Sequence, residues 1–435
     1  MLVEVSVGFS RSLPQRGFLD FASTFRFIHT LKPDLKLTLR LCVVENKKVS
    51  RNSDILEFIQ ELVRIPSRGG IDPYEPVVSR VGRWLEEHKI PTYRLVHPTQ
   101  GSVGLYAIVQ GRVLEPVYAI NATLDTAGFG DESQWTVPVL GGEIRGNWLY
   151  GRGAGDSKAA VAIFCHVAAE LARMRDRLHG SVIILFDADE HTGGFLGIKT
   201  YLHGSGIELP RGVFIGYPGN DRIITGSRGF ARAVIAVHGR AAHSGSTKNR
   251  GVNAITCATQ VVEQFNAVNL ENESAADFPL PPQLTVTSIE GGESFSVVPD
   301  LCQLRVDVRL TPSFDETRAH RLVEDIVSQT ESRGGFRITI DWLEGWPSYR
   351  LPEEQELVVA LRSEAEFAFG KEIPTGISGP SNVGNYLATQ HIPAVSGFGV
   401  TYRNLHATDE CIETTSILPV YEVYLRTLKR LLQAH

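Results

Sequence analysis

Four short polar clusters hold most of the side chains in this sequence that could do chemistry. They are NATLDTAG (121–128), LYGRGAGDSK (149–158), DADEHTGG (187–194) and RNLHATDE (403–410). Aspartate, glutamate and histidine are the side chains that ligate divalent metals and move protons near neutral pH. Taken singly, each cluster could be an ordinary solvated turn. Their positions make them more specific, because each adjoins the end of a predicted strand or the start of a helix. In open α/β sheets that edge is where ligands and catalytic groups gather.

The elements that must position them can be read from periodicity. Short apolar runs at 103–109, 117–122, 181–187 and 212–216 read as strands. Helical patterns fall before them, over 53–65 and Val77–His88, and between them, over 159–174. This alternation argues for a sheet covered by helices. Near Arg228 the pattern changes to alternating apolar and polar residues. A strand (231–239), a helix (253–268), two strands (283–289 and 301–310), a helix (317–329) and a strand (336–343) follow. That β-α-β-β-α-β order is the ferredoxin-like split motif. The first pattern then resumes with a helix at Glu354–Phe369, a Gly/Ser-rich turn, a strand at 393–398 and a C-terminal helix over 415–434. The expected organisation is therefore an N-terminal extension (1–50), a first catalytic part (51–227), an inserted lid (228–343) and a second catalytic part (344–435).

Composition narrows the functional classes. The chain has 435 residues, 43% hydrophobic and 21% charged, a globular mix that excludes disordered, collagen-like and coiled-coil proteins. A net charge of −6 offers no basic excess for nucleic acid or an anionic membrane. No apolar stretch approaches the ~18 residues of a bilayer span, and the first thirty residues lack a secretory apolar core. Cys42, Cys165, Cys257, Cys302 and Cys411 are an odd, widely spaced set without a CxxC, so a disulfide framework is not expected and a cytoplasmic location is.

In this order, around an inserted split βαβ domain, the clusters resemble the M20 family of metallopeptidases and deacylases. WTVPVLGGEIRGNWLYGRGAGDSK, VHGRAAHSGS, SVVPD, VDVRLTP and HATDECI carry the resemblance, which runs from about Arg51 to the C-terminus. It implies an α/β, zinc-exopeptidase-like sheet with a ferredoxin-like lid, and commonly two zinc ions with five ligands. Carried over residue by residue, the ligand set is altered. Thr123 stands where the family has a histidine, and Tyr217 where it has an acidic ligand. Asp156 matches the bridging aspartate, His191 the second residue of a glutamate pair, and His406 the last ligand. Glu190 matches the general base. Asp125 matches a carboxylate that orients the missing histidine, leaving it either bonded to another group or vestigial.

One metal position is thus poor in ligands, while the other becomes Asp156, His191 and His406. Two imidazoles and a carboxylate suit a catalytic zinc site and also a facial-triad iron site. Charge points the same way: two divalent ions against three carboxylates leave one positive charge, as does one ion against Asp156 alone. The expectation is one Zn2+, with Co2+, Mn2+ or Fe2+ as alternatives. The reaction expected is metal-assisted amide hydrolysis of a small N-acyl amino acid or peptide-like substrate with a carboxylate. Tyr217 or Thr123 would donate a hydrogen bond to the reacting oxygen. The alternatives are a catalytically silent ligand-binding relative, or iron-dependent oxidation at the same triad.

By the same resemblance, His243 reaches the partner's site in a homodimer formed through the lid, or is a plain turn histidine. Arg309 binds the substrate's carboxylate, or is a salt-bridged strand residue. Ser378 and Asn382 belong to a substrate loop, or to a tight turn.

Overall fold

The computed structural model describes residues 50–204, 208–276 and 278–434. Apart from residue 50, the expected N-terminal extension and Cys42 lie outside the described residues. The chain divides into a short unit, Met1–Ser53, and a large body, Asp54–His435. The body carries helix α1, whose residues 54–63 lie within it.

Its central sheet contains β1 (Thr92–His97), β2 (Gly101–Gln110), β3 (Val117–Thr123), β4 (Ser181–Asp187), β5 (Gly212–Ile215) and, from the far end of the chain, β10 (Ala394–Ser396). The spatial order is β1-β2-β4-β3-β5-β10. Strands β4, β3, β5 and β10 run parallel, while β2 is antiparallel to both β4 and β1. Every residue of β3 and β4 is buried. Parallel strands covered on both faces need apolar residues at every position, which is why VYAI and SVIILF read as unbroken runs.

Alternate side chains serve opposite faces. Tyr118, Ile120, Val182 and Ile184 join a cluster with α1, α2 (Glu75–Glu87), α3 (Ala159–Arg173), α7 (Glu356–Phe369) and α9 (Ile417–Leu431). Ala119, Ile183 and Leu185 pack on the other face with α4 (Leu196–Leu202) and α8 (Val383–Thr389). Because β3, β4 and β5 are parallel, the segments leaving them emerge at one edge of the sheet. Asp125, Glu190, His191 and Tyr217 are thereby gathered there.

A second sheet forms from β6 (Gly229–His238), β7 (Gln283–Gly291), β8 (Leu301–Leu310) and β9 (Arg337–Trp342), in the antiparallel order β7-β8-β6-β9. Helices α5 (Ala254–Asn266) and α6 (Glu316–Gly334) cover one face. Ala233, Ile235, Val237, Leu304, Val306 and Val308 make its separate core. The fold is thus mixed α/β with a ferredoxin-like lid.

Among the elements that escaped the sequence reading are strand β1, helix α4 and helix α8. Strand β1 buries only Leu95, so it has no apolar alternation to detect. Helix α8 falls in the stretch read as a turn: its seven residues are too few for periodicity, and reciprocal bonding between Asn382 and Asn385 starts it. No helix among the described residues is long and apolar enough to cross a membrane.

Ile184 is fully buried in the central sheet. Ile184→Ala should therefore cost about 2–5 kcal/mol, read as a lower urea midpoint with an unchanged slope.

Candidate metal centre

Asp125, fully buried just beyond β3, organises the loop after β4. Its Oδ1 accepts from the Thr123 hydroxyl at 2.5 Å and from the Glu190 amide at 3.1 Å. Its Oδ2 accepts from the His191 amide at 3.0 Å and lies 3.3 Å from His191 Nδ1. Asp125 is therefore not vestigial; it holds the neighbouring imidazole. The approach is tight: a Cβ at Gly69 would meet Asp125 Oδ2 at 2.9 Å and His191 Cβ at 3.0 Å. Thr123, expected as one donor to the reacting oxygen, is instead buried and bonded to Asp125, which removes it from that role.

Asp156 lies in the turn entering α3, and His406 in a loop before α9. A buried ion pair ties the two segments together. Arg152 Nη1 donates to Glu410 Oε2 at 2.7 Å, and Arg152 Nη2 donates to the Ala407 carbonyl at 3.1 Å. Glu410 Oε1 accepts from the amides of Gly155 (2.9 Å) and Asp156 (3.3 Å). The sequence clusters contain both residues, but nothing in their spacing reveals a pairing across 258 positions.

The result is a convergence of donors. His406 Nε2 is 3.2 Å and His191 Nε2 3.7 Å from Asp156 Oδ2. One donor atom from each residue lies within 4.8 Å of the others, and this is the one such trio found among the described residues. Both His191 ring nitrogens are buried without a hydrogen-bond partner. A divalent cation would satisfy such a nitrogen, and two imidazoles with a carboxylate are a suitable donor set. The residues fit a metal.

Electrostatics agrees. Burial alone would discharge His191, but Asp125, Glu190 and Asp156 outweigh it and raise its pKa to about 10. Burial lifts Glu190 to about 7, aided by Asp156 and Asp125 and opposed by His191 and a Tyr217 hydrogen bond. The potential at this point favours positive charge.

Tyr217, beyond β5, donates its hydroxyl to Glu190 Oε1 at 2.7 Å. Burial and the nearby Glu190 and Asp156 charges raise its pKa, so it remains a donor. These groups line a cleft of about 800 Å3 that Arg309, Ser378 and Asn382 also border. Arg309 is at once a cleft residue and the ion-pair partner of Asp307, at 2.7 Å. Ser378 donates to the Pro380 carbonyl, and Asn382 caps α8 through the Gly384 amide. His243 is not brought to this cleft. It is exposed on the lid, where Ala242–His243 pairs with Val297–Val298.

Residues 225–335 match the peptidase dimerisation domain of the M20 group. A succinyl-diaminopimelate desuccinylase from Cereibacter sphaeroides is 24% identical over 393 residues, covering 86% of this chain and 98% of the relative. Together these matches make the chain similar to the M20 family. A Staphylococcus aureus tripeptidase shares the fold, at TM-score 0.71 and 18% identity over 88% of this chain and 99% of that one. An M20 family metallo-carboxypeptidase from Sulfolobus solfataricus gives TM-score 0.71 and 17% identity over 86% and 98%. M20 proteins are metal-dependent hydrolases of amide bonds, and this chain is a hydrolase of that kind.

Arg152→Met would leave Glu410 buried and unpaired, at a cost of about 3–5 kcal/mol in a thermal or urea melt. Adding Glu410→Leu should recover only part of this, because the Gly155 and Asp156 amides would then lose their acceptor.

Proposed function

We propose that this protein hydrolyses the amide bond of a small N-acyl amino acid or peptide-like substrate bearing a free carboxylate, with one divalent cation rather than two. The supporting observation is the meeting of Asp156, His191 and His406 donor atoms within 4.8 Å, next to Glu190. Zinc suits the set best, with Co2+, Mn2+ or Fe2+ as substitutes. Thr123 and Tyr217 occupy the positions of a second ion's ligands by family resemblance, and both hydroxyls are engaged with carboxylates.

When bound, the cation supplies Lewis acidity that polarises the scissile carbonyl and makes water a better nucleophile. Asp125 orients the His191 ring. Glu190 takes the proton from the attacking water and delivers it to the leaving nitrogen. Tyr217 fixes the Glu190 carboxylate by its hydrogen bond and favours the ionised form that a base requires. Arg309, Ser378 and Asn382 border the space where the substrate's carboxylate would lie. The curated relatives are named for removing a succinyl group from diaminopimelate, which supports an amide flanked by carboxylates as the substrate type.

The match to a dimerisation domain supports a homodimer through the lid, assigned to 228–343 between catalytic parts 51–227 and 344–435. His243, exposed on that lid, would then serve the partner's cleft. The described cysteines are buried and free, which suits a reducing cytoplasm.

Release of free amine from a panel of N-acyl amino acids tests the reaction. Glu190→Gln should lower kcat by roughly 10²–10⁴-fold while the bound metal is retained. Unchanged turnover would remove Glu190 from the mechanism, and intact ligand binding without turnover in the wild type would favour a binding protein instead.

The acid limb of kcat/KM reports Glu190, because rate rises as the base loses its proton. Its pKa of about 7 belongs to the protein charges alone, and a neighbouring cation acts downward, so the limb should lie below pH 7. Tyr217→Phe removes a hydrogen bond to the charged form and should shift that limb to higher pH.

A further inference from the structure

Beyond the cation site, the lid sheet borders a second cavity of about 570 Å3. This chamber and the cleft share Arg232, Arg309 and Pro380 on their walls. Strand geometry dictates its lining. Ala233, Val306 and Val308 turn into the lid core, so residues 232, 305, 307 and 309 face the opposite way. With Arg228, just before β6, four arginines line the chamber against a single carboxylate, Asp307.

The charges do not balance. Asp307 receives Arg232 Nε at 2.9 Å on one oxygen and Arg309 Nε at 2.7 Å on the other. Both ion pairs use Nε, which leaves terminal guanidinium nitrogens for other partners. Arg309 Nη1 lies 3.4 Å from the Ser381 hydroxyl. Arg232 Nη1 sits beside the loop that carries His191, where a Cβ at Gly193 would meet it at 3.1 Å. Arg228 donates to the carbonyls of Gly379 (3.2 Å) and Pro281 (3.0 Å), contacts that hold the guanidinium without neutralising it. Burial and the Arg309 charge both act against it, lowering its pKa. Arg305 is largely exposed, with Glu290 at 4.0 Å. Leaving Arg305 to Glu290, three guanidiniums face one carboxylate. A purely structural pairing needs no such surplus, whereas a bound anion would relieve it.

We propose that this chamber takes a second carboxylate of the substrate, the guanidiniums of Arg309, Arg232 and Arg228 between them holding the two. Arg232 and Arg309 grip opposite oxygens of one aspartate, so the two subsites are neighbours. Both carboxylates therefore sit on the same half of the molecule, as in an N-acylated dicarboxylic amino acid. Describing that ligand as a substrate rests on the hydrolase reading; the selectivity of binding does not.

The test measures calorimetric affinities of metal-loaded Glu190→Gln protein. The probes are N-acetyl aspartate, N-acetyl glutamate and N-acetyl 2-aminoadipate, each against its side-chain carboxamide. Charge-assisted bidentate contacts predict that the acid of best-fitting length binds about tenfold more tightly than its amide, or better. Arg232→Gln or Arg228→Gln, in the same background, should bring that ratio close to one, and Arg232→Lys should restore part of it. Equal affinities for acid and amide at every length would overturn the proposal, as would no binding at millimolar concentration. A clear preference in a wild-type protein that hydrolyses none of the probes would leave the chamber standing and count against the hydrolase reading. Turnover of acids and amides with equal kcat/KM would count against the chamber alone.

Discussion

The site depends on three carboxylates surrounding one buried imidazole. Oxygens of Asp125, Glu190 and Asp156 approach the His191 ring nitrogens at 3.3, 3.4 and 3.7 Å. So much negative charge away from water is tolerable only beside positive charge. In the protein by itself the imidazole supplies it by holding a proton. A divalent ion shared with His406 would answer the same potential and satisfy a nitrogen that no hydrogen bond reaches. The parallel strands β3, β4 and β5 serve this end by bringing their exits to one edge, and the Arg152–Glu410 pair adds the two remaining loops.

Two hydroxyls shape the hydrogen bonding around the site. Where the family resemblance puts a histidine, Thr123 donates to Asp125, and Asp125 turns to His191. Where it puts an acid, Tyr217 donates to Glu190 and biases that carboxyl toward the charged form. Both side chains thus act as hydrogen-bond donors to a carboxylate.

Much of this was legible in the sequence for physical reasons. Strands β3 and β4 are covered on both faces and must be apolar throughout, and the lid strands are half-covered and must alternate. Asp156 and His406, 250 positions apart, could be joined only through their match to family motifs, because spacing carries no information across such a loop. Strand β1 and helix α8 were missed because one buries a single residue and the other is held by a local asparagine pair. The role of Glu410 and the crowding of arginines at Asp307 depend on loop closure and strand register. Neither leaves a periodic trace.

The central claim is a single shared cation. It is tested most directly by elemental mass spectrometry of protein purified without chelator, with His191→Ala prepared in parallel. The proposed single-ion site predicts one divalent ion per chain in the wild type and a large loss of it in the variant. Two ions per chain, or one that persists undiminished without the His191 imidazole, would contradict the account.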